Sequence, residues 1–182
     1  MQYSFVNTEG NIIDTRVFIE RPDNPHYSKG VWLPDEPPEY NPEIENLEVV
    51  YPISMVADSI PYLVTDKDIE VIRLAKIKEM YRDYLAAQQL PVYYMGSTFQ
   101  ADLASQDVLA KSLAGMSVVA PAGFYWVDVQ NNKVAMSFEN LQGMAAAMFQ
   151  QGWDAFKNLQ DKKDLASSPD ATVATIKNIT WA

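Results

Sequence analysis

The sequence has no cysteine, a single histidine, and far fewer basic than acidic side chains. Without thiols it can hold no disulfide, no cysteine-ligated zinc and no thiol nucleophile, and such usage fits a reducing compartment. His26 lies in a proline-flanked stretch with no carboxylate or serine elbow at a recognisable spacing. It reads as a surface loop residue, and zinc there would need an otherwise all-carboxylate shell. No apolar run reaches the length of a membrane-spanning helix. Residues 1–6 lack both the basic start and the apolar core of a signal peptide, so synthesis and retention in a cytoplasm are expected. With 14 basic against 24 acidic residues the formal charge is −10, which argues against nucleic acid, since that affinity rests on neutralising phosphates. A glycine-rich phosphate loop, a Walker motif and a G-x-S-x-G elbow are all missing as well.

What is present is unevenly distributed. Residues 1–65 carry eleven acids against three bases, and residues 66–182 carry thirteen against eleven. Eight of the eleven prolines also precede residue 66. This shift predicts a small β-rich N-terminal region over 1–65 and an α+β domain over 66–182. Within the first, residues 21–48 hold six prolines and seven acids, a composition that excludes helix and central strand. One reading is a solvated linker. The favoured one is an extended acidic arm lying on a partner, with Trp32, Leu33 and Tyr40 as its apolar anchors.

Hydrophobic periodicity supplies the remaining elements. Residues 3–6 and 12–19 predict a hairpin, with Ile13, Thr15, Val17 and Ile19 on one face and Asp14, Arg16, Phe18 and Glu20 on the other. Residues 49–64, interrupted by Pro52 and Pro61, predict a short edge strand and turns. A capping-box-like Thr65-x-x-Asp68 opens a helix over about 66–90. Its main stripe is Val71, Leu74, Ile77, Tyr81, Tyr84 and Leu85, with a second stripe of Ile69, Ile72 and Met80 beside it. So wide a face serves core packing first, and self-association along the 66–90 helix second.

A second hairpin follows at 92–100, with its turn placed at Gly96-Ser97, and Asp102 then caps a helix over about 103–119. A third hairpin turns at Asn131-Asn132, and Ser137 with Asn140 caps a helix over about 138–165 carrying Leu141, Met144, Ala145, Met148, Trp153, Phe156 and Leu159. Ser168-Pro169 starts a last short helix or turn. The expected fold is therefore α+β, with short antiparallel hairpins packed on three main helices.

Candidate chemistry is thin. The pairs Asp35/Glu36 and Glu43/Glu45 could be posed as acid–base dyads, yet they fall in the acidic loop, where water leaves carboxylates unperturbed. The acidic spacing of residues 66–70 lacks the glycine and distal glutamate of an EF-hand loop, so helix-start chemistry explains it better. Phe124 and Trp126, with the other strand aromatics, are expected to stabilise the fold. No catalytic residue, cofactor site or metal site is predicted.

The C-terminal two-thirds, however, has a recognisable layout. A lysine-rich helix (Lys76, Lys78, Arg82) leads to a hairpin ending Phe99-Gln100-Ala101-Asp102, followed by a helix with Ser105 and Gln106. Then come Phe124-Tyr125-Trp126-x-Asp128, the Asn131-Asn132 turn, Val134-Ala135-Met136-Ser137, and a helix with Leu141 and Met144. Over roughly residues 66–165 this resembles a domain of unknown function found at the C-terminus of bacteriophage tail proteins, and residues 1–65 loosely resemble a tail-fibre-assembly-like region. The resemblance implies a non-enzymatic phage tail protein, a structural or adaptor component near the tail fibre or baseplate. It would be made in the host cytoplasm, reside in the virion tail and contact fibre or baseplate proteins. The alternative is an assembly chaperone that binds the fibre during folding or attachment. An enzyme acting on surface glycans would need paired carboxylates in a cleft.

Overall fold

The computed structural model describes residues 1–20, 22, 29–119 and 121–181, so His26 lies outside the described residues. The architecture is α+β, with short antiparallel strand pairs and three long helices. The chain divides into two compact units, Met1–Ile72 and Arg73–Ala182, and the division falls inside the first long helix, a few residues beyond Thr65. Charge follows it closely. The first unit carries fourteen acidic against four basic residues, a balance of −10, and the second carries ten of each, a balance of zero.

In the first unit, strands β1 (Gln2–Asn7), β2 (Ile12–Val17) and β3 (Gly30–Pro34) form an antiparallel sheet in the order β2-β1-β3. The β1–β2 loop is closed by the Asn7 side-chain oxygen, which accepts the N–H groups of Glu9 and Asn11 at 3.0 and 2.9 Å. At its tip Gly10 has φ +80°, and the Ile53 N–H donates to its carbonyl at 2.9 Å. A Cβ there would stand 2.7 Å from the Ile53 nitrogen, so only glycine allows this approach. A bulge between Phe5 and Val6 pairs Val6 with Ile12 rather than with Ile13. Ile12 packs on the core, whereas Ile13, Val17 and Ile19, expected to share one face, are all exposed.

The centre of the extended arm expected over 21–48 lies on its own chain, where a partner was expected. Gly30–Pro34 is a strand, with Val31 opposite Val6 and Leu33 opposite Ser4. Alternation places Val31 and Leu33 inward, and burying both drives the pairing. Pro34 is tolerated because β3 is an edge strand and Pro34 ends it. Residues 36–43 continue as exposed chain without regular sheet or helix. Strands β4 (Glu45–Val49) and β5 (Tyr62–Asp66) then pair antiparallel, and the core gathers Val6, Val31, Leu33, Ile53 and Ile60.

Helix α1 (Ile69–Ala87) opens at Asp68, whose carboxylate accepts the Glu70 N–H at 2.8 Å. Thr65 lies within β5 and so cannot cap it. The two apolar stripes also exchange roles. Ile72 and Met80, from the narrower stripe, are buried, while Val71, Leu74, Tyr81 and Leu85 are exposed.

In the second unit, β6 (Val92–Tyr94) and β7 (Ser97–Phe99) are joined through Met95 and Gly96, at φ 50° and 79°. Two consecutive left-handed residues are what a tight hairpin turn requires, so the turn sits one residue earlier than predicted. Asp102 caps α2 (Leu103–Met116) by accepting the Ser105 N–H at 2.9 Å. Hairpin β8–β9 (Tyr125–Val127, Lys133–Ala135) turns through Asn131 at φ 67°. Ser137 and Asn140 form a reciprocal capping box at the start of α3 (Phe138–Ser167). Pro169 lies in a turn, and α4 (Val173–Lys177) starts after Thr172. The core holds Val92, Phe99, Leu109, Met116, Met136, Leu141, Met144 and Met148, with Phe124 and Trp126 packed half-buried against it.

Candidate functional site

The second unit carries a groove of about 560 Å³ walled by the C-terminal part of α1, by α2 and by α3. On α3, Phe149, Trp153 and Phe156 fall at positions i, i+4 and i+7, which form one stripe of a helix. The core row of the same helix is Ala155, Leu159 and Ala166. The aromatic stripe is therefore surplus to the core. Phe149 is 72% exposed, and Trp153 and Phe156 are exposed too. Trp153 stacks on Phe156 (centroids 5.8 Å, planes 26° apart), and Tyr84 of α1 meets Phe156 edge-on at 6.4 Å.

Leu109, Ala110 and Leu113 of α2 form the facing wall, and Gly152 of α3 borders open space, where a Cβ would meet nothing within 4 Å. Gly143, one turn into the same helix, is in the opposite situation. A Cβ there would stand 2.0 Å from the Tyr94 hydroxyl oxygen, so glycine admits the Tyr94 ring against the helix. Two amides fasten the walls: Gln151 donates to the Leu90 carbonyl at 2.7 Å, and Gln106 donates to the carbonyls of Ala101 and Gln88 at 2.7 and 3.3 Å. Among the described residues no Asp, Glu, Lys, Arg or His lines the groove, and its polar side chains include Tyr84, Gln88 and Gln106.

A second constellation lies in the first unit. Asp35 is buried and accepts from the Ser4 hydroxyl at 2.5 Å, from the Gln2 amide at 3.1 Å and from the Tyr62 hydroxyl. Burial pushes the carboxyl up, but the hydrogen bonds from Ser4, Tyr62 and Gln2 together outweigh it and hold Asp35 below the ordinary value. The Tyr62 hydroxyl is pushed well above its ordinary value by burial and by its bond to the Asp35 carboxylate. Reading Asp35 as a water-exposed loop carboxylate is thus corrected; its donors lie far off in sequence, where no local signal reaches. Asp128 is held below the ordinary value by the N–H and side chain of Asn132 and by the Gln130 N–H, against the cost of burial, which makes it a turn-closing carboxylate.

The residues expected as partner anchors do not converge. Trp32 packs edge-on against Phe5 and Phe18, at 5.1 and 5.0 Å, with Arg16 over its ring. Leu33 is core, 2% exposed. Tyr40 stands exposed on the segment beyond β3. Leu33 thus has no free surface to offer a partner, and Trp32 is half-buried on its own sheet. The acids at 66–70 also separate, Asp66 ending β5 and Asp68 opening α1, and among the described residues no group of three or more His, Asp or Glu is placed to hold a metal.

These features describe an α+β protein with an uncharged, aromatic-walled groove between helices. The chain belongs to the family described as a domain of unknown function (DUF4376), matched over residues 70–180, a span that contains the whole groove. No curated protein and no solved structure matches the chain.

Proposed function

We propose that this is a non-enzymatic binding protein that docks a protein partner in the groove between α1, α2 and α3. The observation that carries this reading is the lining. In a unit with twenty charged residues, the groove has none and instead presents Phe149, Trp153, Phe156 and Tyr84. Charge depletion with aromatic enrichment is the compositional mark of the centre of a protein interface. The resemblance of residues 66–165 to the C-terminal domain of phage tail proteins supports a setting in the virion tail, as a structural or adaptor component near the tail fibre or baseplate. The test is quantitative mass spectrometry of purified particles. A stoichiometric signal supports the virion component. Absence from particles, with presence in fibre-assembly intermediates, supports the assembly chaperone. Absence from both overturns the reading.

A further inference from the structure

The first unit presents a surface of a different kind. β2 is an edge of the three-stranded sheet, and no described strand pairs with its outer side. The Phe18 N–H donates inward to the Met1 carbonyl at 3.0 Å, so by the alternation of an antiparallel ladder the backbone groups of Thr15 and Val17 face the open side. Apolar side chains accompany them: Val17 is 78% exposed, and Ile13 and Ile19 are more than half exposed. An edge of this kind is a template for another strand.

Charge decides between occupants. The whole excess of −10 lies in this unit. Arg16, the one cation on β2, is already engaged, pairing with Asp14 at 2.7 Å and lying over the Trp32 ring at 5.8 Å. Glu9 precedes the strand and Glu20 follows it, both exposed. Edge-to-edge pairing of two copies would bring two such units together and is opposed by their charge; a cationic strand is drawn in.

We propose that β2 is a docking edge that takes an extended lysine- or arginine-rich segment of a protein partner as a fourth strand of the sheet. The incoming backbone pairs with Thr15 and Val17, its alternate apolar side chains cover Ile13, Val17 and Ile19, and its cations meet Glu9 and Glu20. This surface is separate from the groove and selects a partner by other chemistry.

The test uses the full chain and a fluorescein-labelled heptapeptide of alternating valine and lysine, blocked at both ends, read by fluorescence anisotropy. Binding is expected to weaken with rising salt and to fall about tenfold or more when the peptide is N-methylated along one edge or when Val17→Lys is introduced. Val17→Ile and Trp153→Ser are expected to leave it unchanged, the latter separating this edge from the groove. Melting curves establish that Val17→Lys folds. Three outcomes would overturn the proposal: equal binding of the N-methylated peptide, equal binding of a valine–glutamate peptide, or dimerisation of the free chain that Val17→Lys abolishes.

Discussion

Ser4 donates its hydroxyl to Asp35 over 2.5 Å, and the same oxygen lies 2.8 Å from the Thr15 hydroxyl. With Tyr62 on the far side of the carboxylate, one polar chain runs Thr15–Ser4–Asp35–Tyr62 and ties β2, β1, the end of β3 and β5 together. Every buried polar side-chain atom among the described residues has a partner, so this chain stabilises through satisfied bonds.

Stability of the first unit should therefore depend on pH at both ends. Asp35 has a folded value below its ordinary 3.8, so its contribution is complete above that value and is lost as pH falls through the folded one. Tyr62 is shifted up from 10.0, so its contribution is complete below that value and is lost as pH climbs above it. Asp35→Asn should lower the melting temperature at neutral pH and flatten the acid limb, and Tyr62→Phe should flatten the alkaline one. Thermal melts across pH check this; an acid limb unchanged in Asp35→Asn would refute it.

Trp32 and Tyr40 should respond differently to truncation. Trp32→Ala removes the ring held between Phe5 and Phe18 and should cost about 3 kcal/mol, the low end for an aromatic because the site is only half-buried. Tyr40→Ala, at an exposed position, should stay within about 0.5 kcal/mol of the parent. Urea denaturation of both variants is the measurement, and equal stabilities would contradict the packing described.

Gly143 offers a sharper contrast. In an exposed helix interior Gly→Ala stabilises by about 1 kcal/mol, but here the new methyl would strike the Tyr94 hydroxyl and ring. Gly143→Ala should destabilise the parent and should stabilise a Tyr94→Ala background by about 1 kcal/mol. A double-mutant cycle with no coupling would show that the two residues are not in contact.

The groove makes the functional prediction. Phe149→Ser removes a largely exposed ring, so stability should change by less than about 0.5 kcal/mol, while co-assembly with fibre or baseplate proteins should be lost. Co-sedimentation with particles, read alongside the melt, separates the two effects. Retained co-assembly would remove the groove from the interface.

Much of this fold could be read locally. Asp102 and Ser137 announced their helices because capping depends on residues three apart, and Asn131 announced its hairpin because few side chains tolerate its backbone. Gly30–Pro34 was illegible as a strand because the prolines and acids of the surrounding residues 21–48 dominate composition, while its pairing partner β1 lies more than twenty residues away. On α1 periodicity found both apolar stripes but could not rank them, since which stripe is covered depends on neighbours elsewhere in the chain. The groove was half legible. The spacing of Phe149, Trp153 and Phe156 was open to inspection, yet only packing shows that Ala155 and Leu159 take the core and leave the aromatics outside.

The partition of charge has a consequence for how the two units meet their ionic atmosphere. A unit at −10 holds itself folded against internal repulsion, and each increment of dissolved salt thins that repulsion within a Debye length of about 10 Å or less. The balanced unit has no such reserve to release. Ionic strength is then a dial that tightens the sheet of Met1–Ile72 and leaves the helices of Arg73–Ala182 largely indifferent, so the relative ease with which the two units open is set by the surrounding medium as well as by the sequence.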